Sequence, residues 1–211
     1  TLIVSRQLEL LNVFIGYEQA NQYQIQRADG TVVGYMAEQD VKLTSAIARQ
    51  LLSTRRAYRI DVMDTQGRPI LKMLRPVKWL LNSRLIVMRP EDDAVIGEVQ
   101  TDWHLWRRRY DVFLKKHQIA RIDGGFWAWD FVLRDEQNAI LAQVNRNFVG
   151  LARELFSDTG VYVVRMSESP LPPAVLDAPH AGRPLSFDER ALVLATAVTA
   201  DIDYFSRHSS G

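Results

Sequence analysis

The sequence predicts a mainly β protein: about a dozen short antiparallel strands, closed into a barrel or folded as a sandwich, with one apolar helix buried inside. Two observations carry this expectation. Hairpin patterns follow one another five times along the chain. A ten-residue uncharged run, residues 191–200, stands near the C-terminus. Of the 211 residues, 47% are hydrophobic, so the chain can build a sizeable core and is not disordered. An open sheet of a dozen strands would leave unpaired edges, which favours closure.

The elements follow in order. Residues 8–14 are a candidate strand. Residues 23–30 lead into 31–35, with the turn at Asp29-Gly30. Residues 58–64 turn at Thr65 to Gly67 and return through 69–73. Residues 85–88 turn across 89–93 and return as 95–99. Residues 110–114 turn across 115–118 and return as 119–122. Residues 129–133 turn across 135–138 and return as 139–144. Alternating apolar positions bounded by Asp, Asn and Gly are hairpin signals. Residues 161–166 add one strand more. Residues 41–52 carry Ile47, Ala48, Leu51 and Leu52 at helical spacing, and 148–156 is a second helical candidate. Residues 169–184 hold five of the eight prolines and are expected to form an extended, exposed linker within a single domain, 1–211.

A central helix is expected over 186–206. Ser186 and Glu189 are spaced as a capping box, and Arg207 and His208 suit the negative end of the helix dipole. Ten residues at about 1.5 Å each reach only about half a bilayer core. Asp201 and Asp203 follow, and each would cost about 3 kcal/mol near a membrane centre. Leu192, Val193, Leu194, Ala195, Ala197 and Val198 surround the helix, so it is apolar all round and belongs inside protein. Ala191, Ala195, Ala197 and Ala200 keep it thin enough to thread a barrel.

Composition excludes several functions. Lys and Arg number 26 against 25 Asp and Glu, a net charge of +1, so any attraction to nucleic acid or anionic lipid must come from a local patch. Cysteine is absent, which removes disulfides, thiolate metal sites, cysteine nucleophiles and S-acyl anchors. The first residue is Thr1, and a native start with any leader peptide is expected upstream. There is no G-x-S-x-G, P-loop, H-E-x-x-H or G-x-G-x-x-G. His104, His117, His180 and His208 have no ligand spacing. Asp92-Asp93 fits a turn, and Asp201 and Asp203 point to nearly opposite sides of a helix. No catalytic constellation emerges, and an enzyme is not expected.

The strongest binding candidate is the stretch Trp103, Trp106, Arg107, Arg108 and Arg109. Indole rings suit a lipid headgroup layer and guanidiniums suit phosphates. The same composition could grip an RNA backbone, or be a hairpin connection with aromatics packed inward and arginines in solvent. Arg49, Arg55, Arg56 and Arg59 form a second basic cluster. Lys78 and Trp79, with Leu80, Leu81 and Arg84, form a third. On one face, the three would make a basic, aromatic-tipped docking surface. Gly124-Gly125 suggests a bulge or tight turn.

Several stretches, in order, resemble the phospholipid scramblase family of the tubby-like superfamily, most closely its fungal mitochondrial branch. They are Leu11-Asn-Val-Phe-Ile-Gly-Tyr-Glu18, Asn21-Gln-Tyr23, Gly34-Tyr-Met-Ala-Glu38, Leu74-Arg-Pro76, Ile96-Gly-Glu-Val-Gln100 with Trp103-His104, Arg153-Glu-Leu-Phe-Ser-Asp158, and Asp188 to His208. The resemblance implies a twelve-stranded barrel around a central C-terminal helix, phospholipid movement between leaflets, and a mitochondrial membrane location. Animal members carry palmitoylated cysteine clusters, absent here. Of their proposed calcium segment this chain keeps one carboxylate, Asp158, and Gly160 stands where a second would be. A calcium ion wants six to eight oxygens, so no cofactor is expected. The alternative expectation is a non-catalytic barrel docking through its basic patches on a large mitochondrial assembly, a ribosome or respiratory complex.

Overall fold

The computed structural model describes residues 1–7, 19–40, 57–76, 83–103, 107–125, 130–146, 161–166 and 179–204. Twelve strands and one helix fall within them: β1 (Leu2–Gln7), β2 (Gln19–Arg27), β3 (Val32–Asp40), β4 (Tyr58–Met63), β5 (Pro69–Arg75), β6 (Ser83–Met88), β7 (Val95–Trp103), β8 (Arg107–Leu114), β9 (His117–Gly125), β10 (Asp130–Arg134), β11 (Ile140–Arg146), β12 (Val161–Met166) and α1 (Phe187–Tyr204). Each strand pairs antiparallel with its sequence neighbours, and β12 closes on β1, with Leu2 opposite Val164 and Ser5 opposite Val161. The architecture is therefore the barrel and not the sandwich. An even strand count is what lets an all-antiparallel sheet close on itself.

The five expected hairpins are present. Strand β1 is an element the sequence reading did not assign. The strand candidate 8–14 and the helix candidates 41–52 and 148–156 lie outside the described residues. Glycines 124 and 125 form neither bulge nor turn: they continue β9 in register, opposite Arg108 and Arg107.

The two ends of the barrel are built differently. At one end, the turn end, five short hairpin turns join β2–β3, β4–β5, β6–β7, β8–β9 and β10–β11. Aspartates tie four of them. Asp29 accepts from the Thr31 N–H (2.9 Å), and Asp64 from those of Gln66 (2.8 Å) and Arg68 (2.9 Å). Asp92 accepts from Ala94 (3.0 Å), and Asp135 from Gln137 (3.0 Å) and Ala139 (2.8 Å). A short carboxylate reaching its own backbone two residues on is what makes Asp a turn residue. Left-handed residues complete the turns: Gly30 at φ 84°, Gly67 at 79°, and Asp93, Lys115 and Asn138 near 60°. At the other end, the connection end, strands are joined by residues 8–18, 41–57, 76–82, 104–106, 126–129 and 147–160.

Helix α1 enters at the turn end. Its first turn meets Arg89 of the β6–β7 turn, whose guanidinium lies 3.3 Å from Asp188. The last residues of the proline-rich segment lead into it. They are less free than a linker: the Ile140 N–H donates to Pro179 O (2.8 Å), and the Ala181 N–H donates to Ile140 O (3.1 Å). Ser186 is the N-cap, one residue before α1. Its hydroxyl accepts from the Glu189 N–H (3.3 Å), and its own N–H donates to the Glu189 carboxylate (2.8 Å). Arg183 adds two donors to the same carboxylate, at 2.6 and 3.0 Å. The Arg183 bonds, helped by the Ser186 N–H and hydroxyl and opposed by burial, hold Glu189 down at about 2. Eighteen residues at about 1.5 Å carry α1 some 27 Å, enough to cross the barrel to its connection end.

Inside, α1 packs against β6, β7, β8, β11 and β12. Tyr23, Met36, Ile60, Met73, Leu85, Tyr110, Phe131 and Tyr162 fill the lumen around Leu192, Ala195 and Val198. Buried hydroxyls on the helix satisfy themselves, Thr196 donating to Leu192 O (2.9 Å) and Thr199 to Ala195 O (2.8 Å). Gly97 of β7 lies close against the β8 backbone and, less tightly, against the helix. A Cβ there would stand 2.1 Å from Phe113 O and 3.1 Å from both Leu192 methyls.

Two outcomes follow from this packing. Gly97→Ala destabilises the fold by about 2 kcal/mol through overpacking, measured as a lower urea midpoint at unchanged slope. Glu189 titrates at about 2 folded against an ordinary value of 4.5. Its contribution is complete above the unfolded value and is lost as pH falls from there toward 2. With Arg183 half-exposed, that contribution is on the order of 2 kcal/mol. Melting temperature falls across this window, and Glu189→Gln flattens the fall.

Candidate functional site

The Trp103–Arg109 stretch lies at the connection end. Trp103 ends β7 and Arg107, Arg108 and Arg109 open β8, leaving only residues 104–106 between the strands. Trp103 pairs with Arg108, and Asp102 with Arg109. Arg107 and Arg109 have one parity, and Arg108 has that of the buried Tyr110 and Val112. The remaining sequence candidates, Arg55, Arg56, Lys78, Trp79, Trp106 and Asp158, lie outside the described residues. Arg59 is no free member of a basic patch. Its guanidinium grips Asp61 by two bonds of 2.7 Å, and Gln39 donates to the same carboxylate (3.0 Å).

The outer wall from β5 to β9 carries ion pairs. Arg84 lies 3.8 Å from Glu98, which also accepts from Gln100 (2.6 Å). Arg121 donates to Asp111 (2.7 Å), as does Gln118 (2.9 Å). Lys72 reaches Asp93 (2.7 Å). A barrel spanning a membrane shows lipid an apolar band and tolerates charges there at about 2–4 kcal/mol each. On this wall the ion pairs share the outward positions with apolar residues, among them Ile70, Leu74, Ile86 and Val95. No helix among the described residues is long and apolar enough to cross a membrane. Around β11, β12 and β1 the outward residues Gln143, Val161, Val163, Ile3 and Ser5 are instead shielded from solvent.

Buried polar groups inside the barrel escaped the sequence reading, Arg75 among them. Arg75 ends β5 on the inward parity of Leu71 and Met73. It donates to the Tyr58 hydroxyl (3.0 Å) and to Ser83 Oγ (2.8 Å), and its guanidinium carbon stands 5.5 Å over the Tyr58 ring. Thr101, also buried, pairs with Ser83 across the strands. Glu38 of β3, also buried and on the inward parity of Met36, lies toward the same connection end, so the mouth there holds a carboxylate as well as the guanidinium. The alternation Leu71, Met73, Arg75 was the available signal, but a charge at the third position reads as exterior.

The profile of the Scramblase family matches residues 1–207. A phospholipid scramblase family protein of Schizosaccharomyces pombe is 45% identical over all of this chain and 60% of its own length. Altered inheritance rate of mitochondria protein 25 of Saccharomyces cerevisiae is 38% identical over 99% of this chain and 71% of its own. Phospholipid scramblase 2 of Bos taurus is 23% identical over 74% of this chain and 57% of its own. The chain thus spans little more than half to about seven tenths of these relatives. No solved structure matches it.

The interior charge gives a stability outcome. Arg75→Leu, which strands the Tyr58 and Ser83 hydroxyls, lowers the unfolding free energy by about 2 kcal/mol, against about 1 for Tyr58→Phe, both read by urea denaturation.

Proposed function

The chain belongs to the Scramblase family, and from that premise we propose that it is a phospholipid scramblase-like protein, acting at a mitochondrial membrane and exchanging phospholipids between its leaflets. The family match across residues 1–207 carries the reading. The mitochondrial part rests on the name of the budding-yeast relative. The ion-paired outer wall and filled lumen favour work from the membrane surface, with no lipid threaded through the barrel. Trp103, Trp106, Arg107, Arg108 and Arg109, with Arg55, Arg56, Lys78 and Trp79, are the proposed contacts to headgroup phosphates. Moving lipid between leaflets makes and breaks no covalent bond, so the proposed activity calls for no catalytic pair.

The test has two stages. Co-sedimentation with vesicles containing cardiolipin or phosphatidylserine should exceed that with neutral vesicles and weaken from 50 to 500 mM salt, the exposed charges being screened. On vesicles that bind, reporter-labelled lipid should exchange between leaflets faster than in protein-free controls. Binding without exchange would reduce the protein to a lipid-surface binder. Absence of binding would overturn the reading in favour of a barrel docked on a large mitochondrial assembly, to be identified by pull-down from mitochondria.

A further inference from the structure

The two ends of α1 are supplied with charge in different ways. Its first turn carries Asp188 and Glu189 at the positive end of the helix dipole, where carboxylates belong. Its last turn, Asp201-Ile-Asp-Tyr204, has no basic residue at the negative end and holds two aspartates. Arg207 and His208 follow outside the described residues. Within them, the counter-charge for this end has to come from the wall.

Toward the connection end, the inner face of the barrel carries three arginines. Arg6 of β1 stands two residues on from the inward Val4, Arg75 of β5 two on from Met73, and Arg146 of β11 two on from Val144. Each lies opposite a buried tyrosine across its strand pair: Arg6 opposite Tyr23, Arg75 opposite Tyr58, and Arg146 opposite Tyr162. The guanidinium carbon is 5.5 Å from the centre of the Tyr58 ring and 5.9 Å from that of Tyr162. A ring beneath a guanidinium holds its plane and leaves its N–H edge for other acceptors. Among the described residues Glu38 is the inward carboxylate at this level, a balance of 3 − 1 = +2. Asp40, two after Glu38, and Arg108, two before Tyr110, add one charge of each sign. The inner wall toward the turn end is lined instead by Ile25, Val62, Leu71, Val87 and Leu133. Of the strands α1 packs against, β11 carries Arg146, while Arg6 and Arg75 stand on the strands beside β12 and β6.

We infer that Arg6, Arg75 and Arg146 form an electrostatic catch that seats the C-terminal end of α1 in the barrel. Cations near a helix C-terminus stabilise it, and more so when partly buried. Arg75 is buried, and Arg6 and Arg146 are partly so. The two ends of the plug are then held by different means. The first turn is capped by Ser186 and Arg183 through hydrogen bonds to its own Glu189. The last turn is received by a collar of positive charge that the wall supplies. The catch gives a reason for arginines on inner faces that otherwise pack apolar side chains, and for a buried helix that ends in aspartates.

Hydrogen exchange on the whole 211-residue chain tests the catch. Arg6→Gln with Arg146→Gln should speed exchange of the last-turn amides, residues 198–204, about ten-fold. Amides at the helix centre, residues 191–195, and in β4 should change by no more than about two-fold. Arg6→Lys with Arg146→Lys, which keeps the charge, should stay within about three-fold of the parent at the last turn. Circular dichroism checks that each variant is folded. If the glutamine pair does not fold, the unaltered chain still decides. Its last-turn exchange should rise about three-fold from 50 to 500 mM potassium chloride, with the helix centre unchanged, because Arg6 and Arg146 are open to screening. Equal last-turn exchange in the parent and the folded glutamine pair would overturn the catch. So would a salt response that is absent from that turn. Faster exchange spread evenly over the barrel would overturn it as well, and reduce the arginines to wall packing.

Discussion

The structure depends on filling a wide lumen. A closed sheet of twelve strands encloses more space than side chains projecting from its own wall can fill. Helix α1 occupies that space, and each of its features serves the fit. Ala191, Ala195, Ala197 and Ala200 keep its radius small, and all four are buried. Gly97 carries no side chain where the wall meets the β8 backbone and, less tightly, Leu192. The two helical threonines spend their hydroxyls on the helix's own carbonyls, so neither needs a partner from the wall. An apolar surface on every side, which would be a liability in water, is here the requirement.

Filling the lumen decides where function can reside. Among the described residues the helix and the inward side chains pack together along the axis, and the wall between β5 and β9 carries ion pairs. What remains is the two ends, and the fold has made them unlike. One is trimmed to turns held by aspartates. The other takes connections 8–18, 41–57, 76–82 and 147–160, while the lead into α1, residues 167–186, belongs to the turn end. Partitioning of this kind is common in scaffolds that keep a rigid body and place variable, functional loops on one face.

The hairpins were legible because the turn chemistry is local: an Asp or Gly at the right place declares itself within four residues. The capping box of Ser186 and Glu189 and the all-round apolarity of α1 were legible for the same reason. What failed was non-local. Strand β1 carries no turn residue of its own in Leu2–Gln7, and its partner β12 lies some 160 residues away. Arg75 obeys the alternation that puts it inside, but its charge argued for the surface. The glycines 124 and 125 invited a turn, yet they run on as strand opposite Arg107 and Arg108, a pairing that only the register reveals. The basic clusters were legible as composition. That Arg59 belongs to Asp61 required the elements to be placed.

The order of elements along the chain sets the order in which the molecule can be made. Helix α1 follows all twelve strands in sequence. A chain leaving the ribosome therefore produces an unfinished sheet with open edges and an unfilled centre, and neither defect is repaired until the closing strand and the plug have emerged. The barrel cannot assemble piecemeal during synthesis, because its first strand waits for its twelfth and every inner face waits for the helix. Newborn copies expose sticky strand edges for most of their translation. The cell that makes this protein must shelter it through that interval, and a truncation ahead of residue 187 leaves a chain with a wall and nothing to build it around.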